Sequence, residues 1–177
     1  VDFNILEGKI TAGALLRNLG TIRHLLAFDR FPGLLKNVWL HIYFDEETSP
    51  SVCAPLGDFF GVGFGEYKPY VSRYLMMTAG GYVCQFHMPF RQKARVTLVN
   101  KNEKLWVPAF YGAVTYLQYP CDAPLENQGY FHAQYREDKP TTRGQPYLIL
   151  DTTSAGQPDQ PGHYVGVTLS TEGADRQ

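Results

Sequence analysis

Short runs of alternating apolar and polar residues, broken by turn residues roughly every ten positions, constrain this chain more than any other feature. The clearest run is Val38-Trp39-Leu40-His41-Ile42-Tyr43-Phe44, which sets Val38, Leu40, Ile42 and Phe44 against Trp39, His41 and Tyr43. A period of two is the signature of a strand with one face buried. Further runs of strand character cover residues 21–28, 81–88, 94–100, 109–119, 129–137, 147–151 and 163–170. Turn residues separate them at Asp45-Glu46-Glu47-Thr48-Ser49-Pro50, Ala79-Gly80-Gly81, Asn100-Lys101-Asn102 and Asp122-Ala123-Pro124, and over residues 157–162. Only residues 12–18 suggest a turn or two of helix, and Gly13 weakens it. Roughly eight to ten short strands predict an all-β fold, an antiparallel β-sandwich of the jelly-roll type. At 177 residues the chain is long enough for one domain with a substantial core. That domain is expected to span residues 1–170, with 171–177 as a tail or the start of a linker to a second jelly roll.

Aromatic residues make up 14% of the chain, and 17 Gly and 12 Pro supply its turns, a balance that suits strands and turns better than helices. With 16 basic and 17 acidic residues the net charge is −1, and no Lys/Arg run offers a surface for nucleic acid or an anionic membrane. No apolar run reaches the length of a membrane span. The start, Val1-Asp2-Phe3-Asn4, has neither an initiator Met nor signal-peptide order, so the chain is expected to begin within a longer protein. Cys53, Cys84 and Cys121 lack C-x-x-C spacing and are expected to be buried free thiols. His41, His87, His132 and His163 are expected in strands, but without H-x-H or H-E-x-x-H spacing they predict no metal site. No cofactor is expected either.

Chemistry concentrates in two segments. In Pro55-Leu56-Gly57-Asp58-Phe59-Phe60-Gly61, two glycines bracket an acid and two rings. The segment reads as a shaped loop presenting Asp58, Phe59 and Phe60, a pairing that suits a sugar whose C–H faces stack on rings while its hydroxyls seek acceptors. A turn-capping acid beside two core rings is the plainer alternative. In Gly129-Tyr130-Phe131-His132-Ala133-Gln134-Tyr135-Arg136, Phe131, Ala133 and Tyr135 share one face, while His132, Gln134 and Arg136 share the other. That second face is either a wall for a polyol or a solvated surface. Pro89 is expected to end a strand, leaving Phe90 and Arg91 on a tight connection from which Arg91 can reach an acid such as Asp58. Gly61-Val62-Gly63-Phe64-Gly65 precedes no helix signal and so does not read as a phosphate loop, and no G-x-S-x-G elbow is present.

These segments, in this order, resemble the bacterial proteins first catalogued as domain of unknown function 2961 and later called glycoside hydrolase family 172. The likeness is carried by Thr21-Ile22-Arg23-His24, Ile42-Tyr43-Phe44-Asp45, Ser51-Val52-Cys53-Ala54 followed by Pro55-Leu56-Gly57-Asp58-Phe59-Phe60-Gly61, and Phe86-His87-Met88-Pro89-Phe90-Arg91. It continues through Ala94-Arg95-Val96-Thr97-Leu98-Val99-Asn100, Tyr130-Phe131-His132-Ala133-Gln134-Tyr135-Arg136 and Gly162-His163-Tyr164-Val165-Gly166. The resemblance implies a protein of two jelly rolls, assembled as homotrimers or larger oligomers, that hydrolyses fructofuranosides or arabinofuranosides. It places a catalytic glutamate pair in E-G-D and G-T-E-D-Y segments beyond the G-H-Y-V-G strand. Thr171-Glu172-Gly173-Ala174-Asp175 echoes E-G-D without its approach or spacing, so no catalytic role passes to Glu172. Residues 17–20 also depart from the family's Gly-rich approach to its Thr21 strand.

The expected function is therefore the N-terminal portion of a furanoside-acting glycoside hydrolase, with no catalytic residue in this chain. Asp58, Phe59, Phe60, Arg91, His132 and Arg136 are the expected substrate contacts. The alternative is a non-catalytic jelly roll that binds carbohydrate or serves in an assembly. The core is expected to include Val38, Leu40, Ile42, Val96, Leu98, Phe131, Ala133, Val165 and Val167.

Overall fold

The computed structural model describes residues 11–17, 20–28, 33–78, 81–107, 110–120, 125, 127–151 and 162–173; for 11–17 and 20–28 it describes the backbone. Two sheets enclose one core. The first has five strands in the order β1 (Thr11–Arg17), β9 (Lys93–Asn100), β3 (Val38–Phe44), β4 (Val52–Pro55) and β11 (Ala133–Gln134). The second runs β10 (Tyr111–Gln118), β2 (Gly20–Phe28), β7 (Gly81–Cys84), β6 (Leu75–Thr78) and β5 (Tyr70–Val71), and β8 (Met88–Phe90) also pairs with β2. Two single-turn helices, α1 (Leu34–Asn37) and α2 (Leu56–Phe59), flank β3 and β4 in sequence. The all-β sandwich read from the sequence is the observed class.

Alternation sets the register. In β3 the side chains of Val38, Leu40, Ile42 and Phe44 are buried, while Trp39, His41 and Tyr43 are half-buried on the outer face. Leu40 lies opposite Ala54 and Leu98, and Ile42 opposite Val52 and Val96, so the inner row of the first sheet is continuous and apolar. Met77, Tyr82, Cys84, Met88 and Phe90 of the second sheet join the same core. A one-residue slip would send every member of the inner row to solvent, which is why this register is strongly specified.

Several expectations are corrected. Residues 11–17 form β1, not a helical turn: the antiparallel ladder to β9 runs from Thr11–Val99 to Arg17–Lys93. Pro89 does not end a strand. It sits inside β8 opposite Thr21, and among the described residues β8 pairs on one side only, so it needs no second row of N–H donors. The sandwich is not purely antiparallel, since β11 runs parallel to β4. The expected 129–137 strand shrinks to Ala133–Gln134; Phe131 and Ala133 pack against the core, partly buried, while His132 and Gln134 are exposed. Residues 147–151 and 163–170 form no strand, and Val165 and Val167 are each 56% exposed, so neither joins the core. Of the four histidines placed in strands, only His41 lies in one; His87, His132 and His163 fall outside. Cys84 is buried and Cys53 half-buried, both free thiols, and Cys121 lies outside the described residues. Among the described residues no helix is long and apolar enough to cross a membrane.

Candidate functional site

The segment from Pro55 to Gly61 is one helical turn closed by a left-handed glycine. Pro55 ends β4, and α2 follows at once. Gly61 adopts φ 87°; its N–H donates to Asp58 O at 3.1 Å, and Val62 N–H reaches back to Gly57 O at 2.7 Å. This pair of bonds is a Schellman closure, which satisfies carbonyls that a short helix would leave open. The turn directs its residues in two directions. Phe59 and Phe60 point inward, 7% and 0% exposed, stacked edge-on with centroids 5.0 Å apart, and Phe60 meets Tyr82 at 5.6 Å. The presenting loop expected from the sequence is thus corrected for both rings: they belong to the core. Asp58 turns the other way, toward α1.

Gly57 lets the two helices meet. A Cβ there would stand 2.8 Å from both Leu35 Cβ and Val62 O, closer than atoms pack. The close approach brings Lys36 Nζ within 3.0 Å of both Asp58 carboxylate oxygens. Its hydrogen bond goes to Oδ1, and Oδ2, though buried, has no hydrogen-bond partner among the described residues. Lys36 also donates to Tyr135 Oη at 3.1 Å, and that hydroxyl donates to Glu137 Oε2 at 2.7 Å. Trp39 packs edge-on against the Tyr135 ring at 5.5 Å. The result is a chain of alternating charge and hydroxyl: Asp58, Lys36, Tyr135, Glu137.

Burial drives the proton affinity of this chain, and the ion pair resists it. Loss of water raises the Asp58 carboxyl above its usual range despite Lys36, with Glu137 adding a smaller push in the same direction. Burial would lower Lys36, but its bonds to Asp58 and Tyr135 outweigh that and raise it. The two shifts disagree about how well the charged pair is favoured. An ammonium 3.0 Å from both oxygens decides for an ionised pair near neutral pH. Burial, then the bond to Glu137, raises the Tyr135 hydroxyl.

Beside this chain lies a cleft of about 280 Å³ lined by Gly61, Val62, Gly63, Phe64, Glu66, Lys68, Tyr70 and Ser170. Gly63 lies between Asp58 and Ser170: an atom at its Cβ position would stand 4.0 Å from Asp58 Oδ1 and 2.5 Å from Ser170 Cβ. Phe64 is 55% exposed and holds φ 59°, a left-handed backbone that a bulky residue rarely adopts. Tyr70 donates from its hydroxyl to Phe60 O, tying the far wall to α2.

The other expected contacts lie apart from Asp58. Arg91 does not reach it; its backbone N–H donates to the Asp45 carboxylate, and its guanidinium lies 5.0 Å from the Tyr130 ring centroid. Asp45 also accepts from Gln92 N at 2.6 Å, Lys93 N at 3.1 Å and Tyr130 Oη at 2.5 Å. Burial alone would raise this carboxyl, but the Tyr130 hydroxyl and the three backbone donors hold it below the usual range. His132 is exposed. Arg136, also exposed, pairs with Asp138 at 3.5 Å and lies over Tyr147. The sequence reading missed Lys36, Glu137 and Phe64 outright, and gave Tyr135 only a place on the Phe131 and Ala133 face of its strand. Tyr135 does lie on the inward face of its motif, and only its hydroxyl reaches the polar chain. Among the described residues no group of three or more His, Cys, Asp or Glu is placed to hold a metal ion.

Compared with known proteins, residues 16–107 match a family model described as GH172 domain-like. No curated protein matches the chain. The matched stretch holds β3, β4, both helices, Asp58 and Lys36, and it covers more than half of the sequence. The chain belongs to the GH172 domain-like family, and so to a family related to glycoside hydrolases.

Proposed function

We propose that this chain is the N-terminal portion of a bacterial glycoside hydrolase acting on fructofuranosides or arabinofuranosides, with Asp58 at the edge of its substrate site. The observation that carries the reading is the Asp58 carboxylate. It is half-buried and ion-paired with Lys36, and its Oδ1 faces Gly63, which lines a cleft. A sugar hydroxyl donating to this carboxylate from the Gly63 side would add a charge-assisted bond, while the exposed Phe64 ring offers a face for the sugar's C–H groups. Lys36 keeps the acceptor charged. The furanoside class is proposed from the resemblance of the motifs to glycoside hydrolase family 172. Hydrolysis itself is assigned to a carboxyl pair outside this chain, which in a retaining enzyme stands roughly 5–5.5 Å apart.

The test is Asp58→Asn in the complete enzyme, measured for both melting temperature and kcat/KM. A charged hydrogen bond to substrate is worth about 1.5–3 kcal/mol, so kcat/KM should fall by roughly 10- to 150-fold. The fold should persist. The amide is nearly isosteric with the carboxyl, and its oxygen still accepts from Lys36 on one side. A destabilised enzyme with unchanged kcat/KM would make Asp58 a structural turn acid.

A second reading, an assembly module that forms homotrimers or larger oligomers, is favoured by a different observation. Tyr164, Val165, Val167 and Leu169 are 56–60% exposed in one short segment, a density of apolar surface that monomers seldom leave in water. Light scattering on this chain is expected to show self-association. A monomer that binds no apolar dye would remove this reading and leave the first untouched.

A further inference from the structure

We propose that Cys53, His41 and Tyr43 form a thiol-exchange site on the outer face of the first sheet, where Cys53 attacks a small disulfide bearing carboxylates. His41 and Cys53 are direct cross-strand partners of β3 and β4, with Cys53 Sγ 3.5 Å from His41 Nε2, within reach for a sulfur hydrogen bond. The other ring nitrogen, Nδ1, lies 3.5 Å from Tyr43 Oη. A proton on Nδ1 donated to that hydroxyl leaves the Nε2 lone pair facing the thiol. Nucleophile, base and orienting group thus stand in sequence, the arrangement that activates a weak nucleophile.

Two cations frame the row. Arg95 lies 3.8 Å from the centroid of Tyr43, and Lys101 Nζ lies 3.2 Å from that of Trp39. Burial, then Lys101 and Arg95, lowers the proton affinity of His41, so its imidazole is neutral near pH 7 and free to accept a proton. The same cations attract a disulfide carrying carboxylates. Cys84 provides the contrast: it is 1% exposed, and burial pushes its thiol up to about 12.

The step balances without another reagent. The Cys53 proton passes to His41 Nε2, and the sulfur's electron pair forms a bond to one sulfur of the disulfide. The disulfide bond breaks with its pair on the far sulfur, which departs as a thiolate and takes the proton from the imidazolium. Cys53 is oxidised to a mixed disulfide, and the departing thiol is the reduced product.

The experiment treats the full chain with glutathione disulfide near pH 7 and follows each cysteine by peptide mapping, which separates Cys53 from Cys84 and Cys121. Cys53 should be modified while Cys84 is not. An unactivated thiol is only a few per cent ionised at that pH, so His41→Asn should slow Cys53 modification about tenfold and steepen its dependence on pH. Lys101→Gln should slow the reaction with glutathione disulfide and leave that with neutral hydroxyethyl disulfide unchanged. Equal Cys53 rates in wild type and His41→Asn, with Cys84 still protected, would overturn the proposal. If His41→Asn exposes Cys84, the variant has lost its fold, and Tyr43→Phe takes its place. That change keeps the ring under Arg95 and removes only the hydroxyl. It should slow Cys53 several-fold, and an unchanged rate there overturns the proposal equally.

Discussion

Phe60→Ala is expected to destabilise the protein by about 3–5 kcal/mol, the usual cost of emptying a fully enclosed ring site. Phe60 has no exposed surface, stacks on Phe59 and meets Tyr82 of the opposite sheet. Its backbone carbonyl also anchors Tyr70, so collapse around the cavity is resisted on two sides. For a domain of this size the loss corresponds to a fall in melting temperature of roughly 6–20 °C. Thermal unfolding followed by circular dichroism reads it directly. A variant that melts within a degree or two of the wild type would mean the ring is not a core element. It would also revive the idea that this aromatic pair faces a ligand.

Asp45→Asn should cost roughly 3 kcal/mol or more, since at least two charge-assisted hydrogen bonds of about 1.5 kcal/mol each are lost. The carboxylate accepts from the backbone N–H groups of Arg91, Gln92 and Lys93 and from the Tyr130 hydroxyl. An amide would turn two donors toward some of those donors. Asn tolerates the left-handed backbone at this position, φ 51°, so the effect reports the charge and not the turn. The pH dependence follows from the sign of the shift. The folded state holds Asp45 below its usual 3.8, so its contribution is complete above that value and fades as pH falls through the folded pKa. The stability gap between wild type and Asp45→Asn should therefore narrow below pH 3.8. A gap that stays constant to lower pH would show that the carboxylate's charge is not what holds the turn.

The fold was legible where one physical signal sufficed. In β3, apolar residues at every second position predicted both the strand and its inward face, because a half-buried strand has no other way to use that pattern. Val96 and Leu98 followed from the same rule. The rule failed at Val165 and Val167, whose alternation is just as clean: a strand also needs a partner, and no residue among those described pairs with them. At Asp58 the sequence singled out an acid that turns toward α1 and pairs with Lys36, beside two rings that belong to the core. Two glycines were taken to shape a loop, but Gly61 closes a helical turn, and a helical turn sends adjacent residues in different directions. Lys36 was invisible because nothing local marks it; its role comes from a partner 22 residues away. Arg91 shows the converse, a charged residue in a prominent motif whose side chain covers a ring far from the site it was expected to serve.

The knot at Asp45 also bears on how fast the protein assembles and comes apart. Its four donors lie 46, 47, 48 and 85 residues further along the chain. All of them converge only after β3, the β8–β9 connection and the Tyr130 segment have docked. Contacts between segments so distant in sequence are slow to close, and sandwiches built from them fold late and cooperatively. An acceptor completed at the end of that process adds little to the folding barrier and much to the barrier for escape. Asp45 then acts as a latch on lifetime: its loss should be felt mainly as faster unfolding, with the folding rate nearly unchanged.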